Sequence, residues 1–504
     1  MLAKINSYDL TGLEGFPVEA EVDMHSGMPT FDIVGLADTA VKESRERVRS
    51  ALKNCGYNYP VASVVVNLAP ADIKKEGSYY DLPIAIGMLV ASKQIQLVFK
   101  DVVLMGELSL KGELRKIKGV LPMLISARQA GYKSALIPSA NAKEAQYIEG
   151  LDVYCADTLN DAVEFLCGQK EILPVETSLW TAGSGESSHY DFKYIKGQFS
   201  AKRAMEIAVA GGHNILMIGP PGAGKTMLAK AVPTIMPDMS FEEALEVAKI
   251  HSVAGILEDG FVSQRPFRSP HHSATMVSLT GGGNKAKPGE ISLAHNGVLF
   301  LDELPEYGRR TLETLRQPLE DGVITIARNA ATVTYPARFM LIASMNPCPC
   351  GNYGSSVECT CTASQIHRYL TKLSGPLMDR IDIHVEVDNV TFTQLTEESN
   401  AESSASVKQR VDAARQVQRA RFGSKIHCNS QMTSADMEKY CKIDGRSTAL
   451  LEESFEKLQL SARAYNRILK VARTIADLDG CESIGVQHIA EALQYRTLDR
   501  KYRV

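Results

Sequence analysis

No apolar run in this chain is long enough to cross a bilayer, and the opening residues MLAKINSYDL hold no hydrophobic segment of the kind that directs export. Membrane-spanning and secreted classes are set aside, and a cytoplasmic protein without a membrane partner is expected. An excess of one charge is also missing: 55 Lys and Arg against 59 Asp and Glu leave a formal net charge of -4. That excludes a basic coat over the whole molecule, although a ring or channel can gather cations inside while its outside stays acidic. Internal repeats and long low-complexity tracts are absent. Ten cysteines in a chain without an export signal do not read as a disulfide framework. At 504 residues the chain exceeds one core and calls for two to four domains.

What is present is most explicit at Gly219-Pro220-Pro221-Gly222-Ala223-Gly224-Lys225-Thr226, which spells G-x-x-x-x-G-K-[ST]. The apolar run Asn214 to Ile218 predicts a buried strand before it, and Met227 to Ala231 predicts a helix after it, the setting this loop requires. Backbone N–H groups freed by the glycines would cradle the phosphates of ATP, Lys225 would reach the terminal phosphates, and Thr226 would offer its hydroxyl to Mg²⁺. Downstream, the apolar strand Gly297 to Leu301 ends in Asp302 and Glu303. Asp302 is suited to holding Mg²⁺ through water and Glu303 to polarising the attacking water. A third strand, Phe339 to Ser344, leads to Asn346, which either orients that water or forms a turn before Pro347.

Around these motifs, residues 1–168 alternate β-rich runs with helical patterns, an α/β unit. Residues 169–191, with Pro174, Gly183, Gly185 and many Ser and Thr, read as a linker. Residues 192–390 carry the nucleotide motifs, and 391–504 are helical in pattern, with breaks expected at Gly445 and Gly480. The alternation from Ile324 to Tyr335 predicts a β-hairpin with Arg328 and Asn329 at its tip. Thr280 to Lys287 reads as a glycine-rich loop bearing Lys285 and Lys287. Four cysteines crowd one short segment, Cys348-Pro349-Cys350 and Cys359-Thr360-Cys361. Four thiolates suffice for a tetrahedral structural Zn²⁺ but leave no open position for catalysis, and the spacing departs from the usual C-x₂₋₄-C, so four free thiols are the alternative.

The order of phosphate loop, Asp-Glu strand, Asn strand and then Leu377-Met378-Asp379-Arg380-Ile381-Asp382 is similar to AAA+ ATPases of the magnesium-chelatase and MCM-helicase branch. The resemblance implies an αβα core with a helical lid. It also implies that Arg380 is an arginine finger reaching the neighbouring subunit's site, hence a ring of copies; taken by itself Arg380 could be a surface salt-bridge residue. In the lid helix opening at Leu460 it implies an arginine that senses the γ-phosphate, and Arg463 suits that offset better than Arg467, a solvated helix face being the alternative for either. Tyr194 to Gln198 resembles the adenine-side wall of such sites.

Arg265-Pro266-Phe267-Arg268-Ser269-Pro270-His271-His272-Ser273, Lys287 to Gly297, and Asn346 to Gly351 together resemble the ComM/YifB group of magnesium-chelatase-like proteins. That group implies a hexameric ATPase driving DNA branch migration when incoming DNA is recombined in natural transformation. Single- and double-stranded DNA, further copies of the chain and recombination proteins are the implied partners. Arg328, Asn329, Lys285 and Lys287 would then grip phosphates in a pore without reading sequence, solvated turns being the alternative. His271 and His272 either contact DNA, couple a loop to the ATP site, or are structural. Gly106 to Leu114 with Ala135 to Pro138 is similar to the proteolytic domain of Lon-type proteases. Tyr79 stands where that family has its nucleophile and Leu121 where it has its lysine, with Ser78 and Lys118 near in sequence, so a non-proteolytic scaffold is expected. The competing function is a chelatase-type or chaperone-like remodeller of a protein partner.

Overall fold

Parallel strands covered on both faces need continuous apolar runs, and the centre of the chain supplies them. In the computed structural model, Ile215–Ile218, Val298–Leu301 and Met340–Met345 are buried at every position. The structure describes residues 2–498 apart from 184–189, 259, 284–285, 328–331, 355–356, 392–401, 424–427 and 459–460. A five-stranded parallel sheet forms in the order Phe267–Arg268, Val298–Leu301, Met340–Met345, Ile215–Ile218, Ile383–Glu386. Alternate residues separate its two faces. Ile215, Met217, Phe300 and Ile342 face a core shared with the helices Phe199–Gly211, Ser404–Phe422 and Ala462–Leu478. Leu216, Ile218, Leu299 and Leu341 face a second core with Leu279, Ile291 and the apolar side of a hairpin, Val323–Ala327 paired with Thr332–Pro336.

The described ends of the glycine-rich segment are paired. Gly281–Gly282 pairs with Lys287–Pro288 as a second short hairpin, and the two hairpins touch where the Tyr335 hydroxyl donates to Ala286 O at 2.9 Å. Gly445 opens the helix Gly445–Leu458, so the break expected there falls between that helix and Ser434–Tyr440. Gly480 lies just past the helix Ala462–Leu478 with φ +67, a left-handed position that glycine tolerates best.

The amino-terminal part holds a sheet in the order Leu2–Thr11, Glu14–His25, Ser63–Ala69, Thr30–Val34 and a parallel three-stranded sheet, Val102–Leu104, Ser134–Pro138, Asp152–Ala156. Its helix Val120–Gln129 shares a core with Ala244, Val247 and Ala248 of the central helix Phe241–Ala254. Trp180, Phe241 and Phe261 close that junction. Among the described residues no helix is long and apolar enough to cross a membrane.

Candidate functional site

Strand register assembles one end of the central sheet. Ile218 pairs with Met345, so Gly219 and Asn346 leave adjacent strands side by side; Leu301 pairs with Ala343, which sets Asp302 beside Ser344. The phosphate loop is then shaped by its glycines. Gly222 and Gly224 have φ of +81 and +90, where a side chain would be strained, and a Cβ on Gly219 would lie 2.1 Å from Val387 O. Lys225 Nζ donates to Gly219 O at 2.6 Å, Pro220 O at 2.8 Å and Asn346 Oδ1 at 3.1 Å. Burial lowers the pKa of that ammonium, and the charges of Asp302 and Glu303 oppose the shift.

Thr226 Oγ1 donates to Asp302 Oδ2 at 2.9 Å, and the other Asp302 oxygen accepts from Ser344. Glu303 follows in left-handed backbone, φ +53, with its side chain half exposed and Oε2 at 3.3 Å from His272 Nδ1. The His271 ring lies 4.1 Å from that of His272. Gln198 Nε2 donates to Ala223 O of the phosphate loop at 3.1 Å and to Asp388 O. Thus Lys225, Thr226, Asp302, Glu303 and Asn346 converge, with Gln198 beside them. Such a site can bind a triphosphate and a divalent cation and activate water.

Arg380 is not in that cluster. Asp382 N donates to Asn214 O, and Asn214 Nδ2 to Arg380 O at 2.9 Å, so Arg380 sits where the Ile215–Ile218 strand begins, while the phosphate loop follows its end. Four residues of strand, about 13 Å, separate the two levels. The Arg380 guanidinium is 10% exposed and bonds a Glu320 carboxylate oxygen, with Nη1 donating to Pro376 O at 2.7 Å. Bonding and charge from Arg380 lower the Glu320 pKa, and the charge of Arg463 adds to them. Arg463, exposed near the start of its helix, therefore belongs to the Arg380 end of the molecule. Arg467 turns inward, with Nε 3.2 Å from Asp382 Oδ1.

The four cysteine sulfurs lie within 4.8 Å of one another. Cys348–Cys350, Cys350–Cys359 and Cys348–Cys359 separations are 3.4, 3.6 and 3.7 Å, close to the edge of roughly 3.8 Å that a tetrahedron with Zn–S of about 2.3 Å requires. The N–H groups of Cys350 and Tyr353 approach Cys361 Sγ and Cys348 Sγ at 3.4 Å each. Hydrogen bonding, led by the Asn352 N–H, draws the Cys350 thiol down to about 5, whereas those of Cys359 and Cys361, against the hydrogen bonds they accept, are raised by burial and the neighbouring sulfurs. The donor set fits zinc. The segment also leans on the phosphate loop: a Cβ on Gly351 would lie 2.5 Å from Pro221 Cδ.

Of the residues expected to grip DNA, Arg328, Asn329 and Lys285 lie outside the described residues; Lys287 is exposed on the short hairpin. In the amino-terminal part the Tyr79 hydroxyl bonds buried Asp9, Leu121 is buried, and Ser78 bonds Glu107. Lys118 lies across Gly255, whose Cβ would meet its Nζ at 2.9 Å, so Ser78 and Lys118 have separate partners. The contact of His272 with Glu303 accords with the coupling to the ATP site that was one of the alternatives for it. Two features escaped the sequence reading, Glu320 as the anchor of Arg380 and Asp382 as a hub, and only Asp382 had a signal, its place at the end of the motif from Leu377. The arginines of the motif from Arg265 to Ser273 are structural: Arg265 bonds Glu243 and Asn296 O, and Arg268 bonds Glu290.

Family models described as magnesium chelatase, subunit ChlI, match residues 191–395; a model of subunit ChlI of Mg-chelatase matches 20–141, and one of the ChlI C-terminal region matches 401–496. The chain is 46% identical to Competence protein ComM of Haemophilus influenzae, over 99% of this chain and 98% of that protein. It is 44% identical to YifB of Escherichia coli, an uncharacterized protein, over 99% and 98% of the two chains. Magnesium-chelatase subunit ChlI of Guillardia theta is 24% identical over 31% of this chain and 52% of its own.

Proposed function

The chain belongs to the ComM/YifB group of magnesium-chelatase-like AAA+ ATPases, and on that premise we propose that it is a ring-forming motor that drives DNA branch migration during recombination of incoming DNA. ATP and Mg²⁺ follow from the family. Lys225 and the loop Gly219–Thr226 bind the phosphates, and Thr226 and Asp302 hold Mg²⁺, which when bound neutralises phosphate charge. Asn346 orients the attacking water and Glu303 accepts its proton.

The observation that carries the ring is the separation of Arg380 from its own phosphate loop by the length of the sheet. An arginine there serves hydrolysis only in an adjacent subunit, and heterologous contacts of that kind close into rings. Arg463, near the same Glu320, acts across the same interface. Six copies per ring is the family's number. Within this reading, residues 1–168 form a Lon-like scaffold without protease activity, 169–191 a linker, 192–390 the motor and 391–504 its lid. The two touching hairpins carry Arg328, Asn329, Lys285 and Lys287 to the DNA. Cys348, Cys350, Cys359 and Cys361 hold a closed structural Zn²⁺ that stiffens the segment between Asn346 and the phosphate loop. A role in competence accords with the name of the Haemophilus relative.

The test is ATP-dependent branch migration of a labelled three-strand junction by the wild type and by Lys225→Ala. Exchange by the wild type alone supports the motor. The second reading, a remodeller of a protein partner, is favoured by the three ChlI matches. It gains if no exchange occurs while ATP turnover is intact, indifferent to DNA and unaffected by Arg328→Ala.

A further inference from the structure

Three consecutive residues, Arg380, Ile381 and Asp382, are each held by a different polar contact. Asn214 Nδ2 donates to Arg380 O at 2.9 Å, and Arg496 Nη1 to Ile381 O at 2.7 Å. The Asp382 carboxylate takes Arg467 Nε at 3.2 Å, His213 Nδ1 at 3.3 Å and the Asn214 N–H at 3.3 Å. Two of the four holding residues, Arg467 and Arg496, come from the carboxy-terminal helical region and two, His213 and Asn214, precede the strand Ile215–Ile218, so the segment is gripped between the sheet and the lid. Arg467 is 17% exposed, and its Nη1 is buried with no hydrogen-bond partner. Its charge is compensated chiefly through Asp382, and separating the two would leave the Arg467 guanidinium buried without its carboxylate, while Asp382 would keep His213 and the Asn214 N–H.

Arg467 lies one helical turn beyond Arg463, so both project from one side of the helix Ala462–Leu478. The charge of Arg463 at one end of that side is felt by Glu320, the partner of Arg380, and Arg467 at the other clasps Asp382. The same helix shares a core with the helix Phe199–Gly211, which starts at Gln198, the residue that holds Ala223 of the phosphate loop. A continuous packed path thus joins a subunit's own phosphate loop to its Arg380. Buried ion pairs contribute little net stability compared with well-packed apolar residues, and in some proteins their role is to fix geometry.

We propose that Asp382 and Arg467 form a clasp through which the lid sets Arg380, paired with Arg463, for the neighbouring subunit's ATP, Asp382 being a positioning residue. The inference rests on the reading of Arg380 as a group that acts across a ring interface. Its own site stays intact when the clasp is broken, because Lys225, Asp302 and Asn346 lie at the other end of the sheet.

Mixed rings test it. Asp382→Asn and Arg467→Met each lower ATP turnover of uniform rings roughly 100-fold, the scale of a misplacement of about 1 Å. Mixed in equal amounts with Lys225→Ala, which has no working site but an intact Arg380, either variant recovers to about a quarter of wild-type turnover, since in random order one site in four pairs a working loop with a working arginine. Arg380→Ala mixed with Lys225→Ala is the reference. Recovery in the reference and in the clasp mixtures supports the clasp. Recovery in the reference alone, with clasp variants that melt cooperatively and assemble, overturns it and leaves the Arg380 reading standing. No recovery in the reference removes that reading and the clasp with it. Uniform Asp382→Asn rings as active as wild type overturn the clasp directly. Arg467→Met, at the less buried end of the pair, carries the test if Asp382→Asn does not fold.

Discussion

Gly12 joins the first two strands with φ +66, and a Cβ placed on it would lie 2.6 Å from Val333 Cγ1 in the long hairpin. Leu13 beside it packs on the core that includes Ile324, Ile326, Val333 and Tyr335. Gly12→Ala should therefore cost about 1 kcal/mol for the left-handed backbone and about 1–2 kcal/mol more for overpacking against Val333. Val333→Ala alone, at a site 7% exposed, loses two buried carbons, roughly 1.6 kcal/mol. In the Val333→Ala background the nearest remaining atom, Val333 Cβ, lies at an ordinary 3.8 Å. There Gly12→Ala should cost only its backbone part, and a coupling of about 1–2 kcal/mol should appear in the double-mutant cycle. Urea unfolding followed by Trp180, the one tryptophan, reads it at the junction with Phe241 and Phe261. A coupling below about 0.5 kcal/mol, the range of independent sites, would refute contact between the amino-terminal turn and the hairpin.

Glu303→Gln should leave ATP binding intact while phosphate release falls about 100-fold or more; a loss under tenfold in a turnover assay would remove Glu303 as the base. Cys348→Ser with Cys350→Ser should abolish zinc measured by metal analysis of the purified chain, and equal zinc in wild type and variant would end the cluster's assignment. Burial pushes the Asp382 carboxyl up, but the bond and charge of His213 and the charge of Arg467 outweigh it and hold it at about 2. A depressed acid stabilises above its unfolded value of about 3.9 and loses that contribution as pH falls through the folded value, so ionised Asp382 contributes stability at neutral pH on the order of 2–3 kcal/mol. The gap in urea stability between wild type and Asp382→Asn should shrink to about half at pH 3; a gap independent of pH would refute this.

How much of this could be read from the chain depends on whether a feature is local or relational. The phosphate loop was legible because its chemistry is contiguous: glycines at 222 and 224 are required by backbone angles, and the flanking apolar runs are long enough to specify strand and helix. Asp302 and Asn346 were legible as strand ends, since register alone carries them to the loop. Glu320 offered no signal, because a half-exposed glutamate late in a helix looks like any solvated face until Arg380, sixty positions away, folds onto it. Asp382 looked like the last letter of a motif, and its work depends on His213 and Arg467, 169 and 85 positions distant. The glycine-rich segment misled in the other direction: glycines suggested a loop, but a Cβ on Gly289 would lie 2.2 Å from Gly281 N. There the residue type reports close approach of two strands, and only the partner strand could tell that apart from freedom. Residues that bind a small ligand must converge in a few contiguous motifs and so remain readable. Residues that transmit one subunit's state to another must lie between elements, and their partners are set by the fold.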